Sequence, residues 1–289
     1  MNIQWYPGHM AKTRRQMEKD LGEVDALIEL ADARIVRASR NPDLDSLAEG
    51  KPRLLVLSRA DLADPLRTSQ WREVIPGLIE CVCHKPGAEK TIVPAIRRIL
   101  SDKISKYALK GQSGRALRLM VTGIPNVGKS TLINTLARRK AAKAENRPGV
   151  TRERQWFPVD NGLMLMDTPG LLWPKFEDPA VGMLLAFTGA VRDEIIDLES
   201  LAAELCVCLA RLYPQLFQER YKIIPSGQGH EILEAIARKR GFLISGGECD
   251  SERASRTVLD EFRSGKLGRI SLEVPGEEPI VQKGGHIKQ

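Results

Sequence analysis

No apolar run in this 289-residue chain approaches the ~18 residues needed to span a bilayer. The opening Met1-Asn2-Ile3-Gln4-Trp5-Tyr6-Pro7-Gly8-His9 has neither the basic head nor the apolar centre of a secretory leader. The expectation is a cytoplasmic protein with no membrane partner. Cysteine and histidine are scarce, at five and four. The cysteines form two C-x-C pairs, Cys81/Cys83 and Cys206/Cys208, with Cys249 apart, and neither pair has C-x-x-C zinc spacing. Residues i and i+2 of a helix do not face each other, so Cys206 and Cys208 read as core fillers. Internal repeats are missing, and no helix-turn-helix or zinc-finger pattern argues for DNA. What is present is ordinary for a folded protein: 42% apolar, 28% charged, net charge +7. That charge is compatible with a polyanionic partner without requiring one.

The length suits two domains. Apolar spacing predicts an amphipathic helix over 9–22 and a buried strand in the middle of 24–34. A second strand over Arg53–Leu57 ends in Ser58-Arg59-Ala60-Asp61. A helix around Leu66–Val74, a short strand Ile79–Cys83 and a helix Thr91–Tyr107 follow. After the join Lys110–Arg115 come a strand Leu117–Val121, a helix Thr131–Arg139, and strand-like runs at Gln155–Val159 and Leu163–Met166. Strands alternating with helices imply a mostly parallel sheet flanked by helices. Past Trp173-Pro174 only helices are expected, over 179–190, 198–213, 229–240 and 251–263. The expected division is 1–174, 175–275 and a disordered tail over 276–289.

Between the strand at 117 and the helix at 131 lies Gly123-Ile124-Pro125-Asn126-Val127-Gly128-Lys129-Ser130, which matches G-x-x-x-x-G-K-[ST] in the strand–loop–helix setting that a phosphate-binding loop needs. Glycines at 123 and 128 let the backbone turn its N–H groups inward, so that Asn126, Val127, Gly128, Lys129, Ser130 and Thr131 cradle phosphate. Lys129 would reach the β- and γ-phosphates, and Ser130 would ligate Mg²⁺. Downstream, Asp167-Thr168-Pro169-Gly170 ends a strand as a D-x-x-G γ-phosphate sensor does: Asp167 for Mg²⁺, Gly170 for the phosphate. Thr151, in the basic loop between, is placed to complete the Mg²⁺ shell.

Base recognition should come from an Asn-Lys-x-Asp motif ending a strand, and the candidate is Ser58-Arg59-Ala60-Asp61. Asp61 can accept from guanine N1–H and the exocyclic amine, and Arg59 can lay its stem over the base. Ser58 is shorter than asparagine, so guanine preference should be weakened. Cys83-His84 stands where a Ser-Ala pair would back the base. These motifs precede the phosphate loop, an order that means circular permutation. With I-Q-W-Y-P-G-H-M (3–10), D-A-R (32–34), S-R-N-P (39–42), R-P-G-V-T (147–151), D-T-P-G-L-L-W-P-K (167–175) and S-G-G (245–247), the chain resembles the ribosome biogenesis GTPase A family of circularly permuted bacterial GTPases that assist large-subunit assembly. The resemblance runs from Met1 to about Pro275 and departs at Ser58-Arg59.

The resemblance implies an α/β, circularly permuted P-loop GTPase domain followed by a small all-helical domain that binds RNA or the ribosome. It implies GTP hydrolysis with Mg²⁺, stimulated by the ribosomal particle. The partner is the large-subunit precursor, with a monomer off the ribosome. Leu171 follows D-x-x-G where a water-orienting glutamine often stands; the resemblance gives that task to His9, which could otherwise cap the first helix. Asn126 matches the K⁺ ligand of potassium-stimulated GTPases. Basic candidates for rRNA contact are Lys12, Arg14, Arg15, Lys19, Arg238-Lys239-Arg240, Lys266 and Arg269. Two other classes stay open: an ATP-using P-loop phosphotransferase, and a non-catalytic RNA-binding assembly platform.

Overall fold

The central strand β1 (Ala26–Asp32) is buried at all seven positions, which requires cover on both faces. The computed structural model describes residues 10–137, 155–159, 162–168, 170, 176 and 178–277, with side chains from residue 15 onward. His9, Thr151, the basic stretch 138–147, Leu171–Lys175 and 278–289 lie outside them. Around β1 run β2 (Arg53–Ser58), β3 (Ile79–Glu80), β4 (Leu117–Gly123), β5 (Gln155–Val159) and β6 (Leu163–Asp167), in the order β3-β2-β1-β4-β6-β5. All neighbours are parallel except β5, antiparallel to β6. The register opposes Asp32 to Ser58, Leu30 to Gly123 and Val121 to Asp167. The carboxyl ends of β1, β2, β4 and β6 therefore share one rim, where parallel sheets bind ligands.

Helices α1 (Met10–Glu23), α2 (Asp43–Leu47), α3 (Pro65–Val74), α4 (Ala88–Ile99), α5 (Ser101–Leu109) and α6 (Lys129–Leu136) flank the sheet. The single helix expected over Thr91–Tyr107 is two, divided at Leu100, whose side chain is buried in the core. The strand expected over Ile79–Cys83 pairs only through Glu80 as a strand; Cys81 N–H still reaches the Leu57 carbonyl at 2.7 Å before the chain turns away.

From 178 onward come α7 (Pro179–Phe187), a short 3₁₀ turn at Asp193–Ile195, α8 (Leu198–Leu212), α9 (Pro214–Tyr221), α10 (Gly229–Arg240) and α11 (Ser251–Ser264). Helix α9 was not expected; Pro214 ends α8 and sits at the first position of the next helix, where a missing N–H costs nothing. Cys206 and Cys208 are buried in the core of α8. At Gly229 a Cβ would lie 2.2 Å from the Ala203 carbonyl oxygen, so α10 starts directly on the α8 backbone.

After α11 the chain returns to the sheet rim. Ile270 N–H donates to Leu62 O and Leu272 N–H to Arg34 O, while the Glu273 carboxylate accepts from the N–H groups of Arg37 and Ala38. Among the described residues no helix is long and apolar enough to cross a membrane.

Candidate functional site

Strand β4 ends at Gly123, where a Cβ would lie 2.5 Å from the Leu30 carbonyl oxygen of β1; only glycine lets the loop leave the sheet here. Gly128 caps α6 with φ +105°, and Asn126 adopts φ +58°. Lys129 curls back so that Nζ donates to Gly123 O at 3.1 Å and Ile124 O at 2.8 Å. It is 6% exposed, and burial lowers its pKa to about 8 against the opposing pull of Asp167. An arriving phosphate would offer that ammonium stronger acceptors than two neutral carbonyls.

Ser130 Oγ donates to Asp167 Oδ2 at 2.9 Å, which brings together the two described residues expected to hold Mg²⁺. A hydroxyl and a carboxylate at a helix N-terminus are the hard oxygen donors this ion takes, so the donor set fits it. Thr168 fastens the sensor loop through Oγ1 to Val121 O at 2.7 Å. Gly170 lies against the phosphate loop: a Cβ there would be 2.7 Å from Pro125 Cα and 2.9 Å from Lys129 Nζ.

The motif encoded ahead of the loop folds onto it. Arg59, at φ +55°, donates from Nη2 to Asn126 O at 2.7 Å, with Nε 3.8 Å from Asp32 Oδ2. Its pKa is lowered by burial and by Arg34, against the attraction of Asp32. Cys83 packs over Gly128, its Sγ 3.7 Å from where a Cβ would stand, and its carbonyl accepts from Thr135 Oγ1 at 2.6 Å. His84 beside it is exposed. Ser58 is fully buried with its hydroxyl on Ala31 O at 3.1 Å, directed into the sheet. Asp61 is half-buried, and among the described residues its carboxylate takes no hydrogen bond or ion pair.

Asn126 also reaches the helical region, donating from Nδ2 to Gly189 O at 2.7 Å beside a cavity of about 540 Å³ that Arg59 and Arg263 line. Two arginines gain roles that charge counting could not assign. Arg34, unexposed, pairs with Asp32 at 2.8 Å and donates to Phe262 O. Arg269, read from the sequence as an RNA-facing cation, spends its guanidinium on Ala63 O and Ala60 O, at 2.9 and 3.0 Å. The D-A-R spacing at a strand end was a signal for the first; nothing local signalled the second. Arg15, Lys19 and Lys239 are exposed.

A family model described as a 50S ribosome-binding GTPase matches residues 118–210, from the phosphate-loop strand onward. Ribosome biogenesis GTPase A of Bacillus cereus is 44% identical over 96% of this chain and 95% of its own. The protein of that name in Thermotoga maritima is 30% identical over 97% and 98%. Among solved structures, GDP-bound YlqF superposes with a TM-score of 0.64 at 29% identity, covering 91% of this chain and all of that one. The GNP-bound form from T. maritima gives 0.63 at 28%, covering 92% and 100%.

Proposed function

The chain belongs to the ribosome biogenesis GTPase A family, and from that premise we propose that one guanine nucleotide spans both motif sets at the rim while the protein assists large-subunit assembly. The observation that carries this reading is the closure of Arg59 and Cys83, encoded before the phosphate loop, onto Asn126 and Gly128 within it. A GTPase that is a ribosome assembly factor is what the family supplies. The finer assignments are ours.

The backbone N–H groups of Asn126 to Thr131 and the Lys129 ammonium hold the phosphates, aided by the α6 N-terminus. Gly170, against Pro125 and Lys129, brings the sensor loop to the terminal phosphate. Ser130, Asp167 and Thr151 would hold Mg²⁺, which neutralises charge on the phosphate oxygens. Asp61 accepts from the N1–H and amine of guanine, and the Arg59 stem covers the base. Ser58, bonded to Ala31, contributes backbone shape. Cys83 with His84 backs the base. His9 orients the attacking water in place of a glutamine, with Leu171 unable to hydrogen-bond.

Residues 1–174 act as the nucleotide domain and 175–275 as the helical domain that meets rRNA and ribosomal proteins. In this reading the cytoplasmic monomer binds the large-subunit precursor in its GTP form and leaves after hydrolysis. Titration of the full chain with GTP, GDP, ATP and XTP, with and without large subunits, tests it. Guanine preference and particle-stimulated phosphate release are expected. Equal binding of ATP, or particle pelleting indifferent to nucleotide, would overturn it.

A further inference from the structure

Asp61 sits in a short connection between β2 and α3, which is tied locally by Leu62 N–H to Arg59 O at 2.9 Å and Ala60 N–H to Cys81 O at 3.4 Å. The preceding residue but one, Arg59, is in the left-handed region at φ +55°. Its carbonyls are held from the far end of the chain. Arg269 forks across it, Nε to Ala63 O at 2.9 Å and Nη2 to Ala60 O at 3.0 Å, so the two carbonyls on either side of Asp61 and Leu62 are tied to one rigid guanidinium. Between them, Ile270 N–H donates to Leu62 O at 2.9 Å. The Leu62 side chain meets the α11 terminus so closely that a Cβ on Gly265 would lie 2.5 Å from Leu62 Cδ2. The anchors on the Ala60, Leu62 and Ala63 carbonyls, and the packing of the Leu62 side chain, all belong to the segment 265–270.

A planar fork holds two acceptors at a fixed separation, which a point-charge ammonium cannot do. A carboxylate that must accept two donors from one base edge works only if its backbone is held beforehand. We propose that Arg269, from the helical region, is a positioning residue for guanine selection: it fixes the 60–63 connection so that Asp61 meets the base edge. The proposal rests on the reading of Asp61 as the base acceptor. It also makes guanine affinity and the docking of 265–270 a single coupled equilibrium, so a partner that displaces that segment loosens guanine by the same factor that guanine resists it.

The test uses the full chain and two nucleotides, GDP and IDP, with Kd measured by calorimetry. Inosine differs from guanine by lacking the exocyclic amine, so the IDP/GDP ratio of Kd isolates that contact. Wild type should prefer GDP by about tenfold or more, the worth of one hydrogen bond to a charged acceptor. Asp61→Ala should bring the ratio close to one. Arg269→Ala should lower the ratio at least about threefold, with IDP, which keeps N1–H, weakened less than GDP. Arg269→Lys, which keeps stem and charge, should fall between and serves if the alanine variant does not fold. If Arg269→Ala weakens both nucleotides by one factor, or either variant keeps the wild-type ratio, the proposal is wrong and the Asp61 reading stands. No preference in wild type overturns that reading and the proposal with it.

Discussion

Arg59 donates from Nη2 to the carbonyl oxygen of Asn126 across 2.7 Å, joining two residues 67 positions apart. The contact closes the 58–61 segment onto the phosphate loop, and under the proposed function it sets the arginine stem along the base. Arg59→Ala should weaken GDP binding by about 10- to 100-fold, the range for a hydrogen bond from a charged donor. Arg59→Lys, which keeps a cationic donor on an aliphatic stem, should recover most of the loss. Calorimetric titration checks both, and an alanine variant with wild-type affinity would refute the role.

Ser130 and Asp167 meet at 2.9 Å where Mg²⁺ is assigned. Ser130→Ala should lower GTP turnover about 100-fold, the scale for loss of one group stabilising transition-state charge. Raising Mg²⁺ should not restore it. Phosphate release across a Mg²⁺ series is the measurement, and full rescue at high Mg²⁺ would show that the hydroxyl only raises affinity for the ion.

Asn126 is engaged with Gly189 through Nδ2, so a potassium ion would have to share its carboxamide with the helical region. Turnover in KCl should exceed that in NaCl by about tenfold or more, as expected for one added charge at the phosphates. Asn126→Ala should make the two salts equal. Identical wild-type rates in both would remove K⁺ from the mechanism.

Asp32 shares a buried site with Arg34 and Arg59. Burial pushes its carboxyl up, but the guanidinium of Arg34 with Arg59 behind it pulls harder, and the net pKa is lowered. A carboxyl that titrates lower when folded adds stability above its unfolded value, about 3.9, and loses it as pH falls toward the folded value. Asp32→Asn leaves Arg34 buried without its counter-charge and should cost about 3–5 kcal/mol at pH 7. Urea unfolding should show that gap narrowing below about pH 4. A gap constant with pH would mean that shape, not charge, holds the site.

Short-range chemistry was the legible part. The phosphate loop and D-x-x-G are contiguous, and parallel strands buried on both faces read as continuous apolar runs; β1, β2 and β4 fall where the sequence put them. The permuted order was readable because Ser58–Asp61 ends a strand. Side-chain direction was not. Ser58 lies opposite Asp32 in the register, and that pairing turns its hydroxyl to Ala31. Arg269 was invisible, and D-A-R marked Arg34 without showing its role, for another reason: a count of charges treats arginine as surface, whereas both act on backbone carbonyls more than 200 residues distant. The division of the 91–107 helix at Leu100 falls within a continuous helical pattern, which local spacing does not mark.

Leu119 of β4 and Leu132 of α6 share one continuous apolar cluster with Leu205 and Phe262 of the later helices. Cutting the chain after the sensor loop would wet that shared interior and leave Arg34 facing solvent where Phe262 had accepted it. A recombinant fragment ending there is a different material from the intact protein, prone to self-association, and assays run on it would describe the fragment.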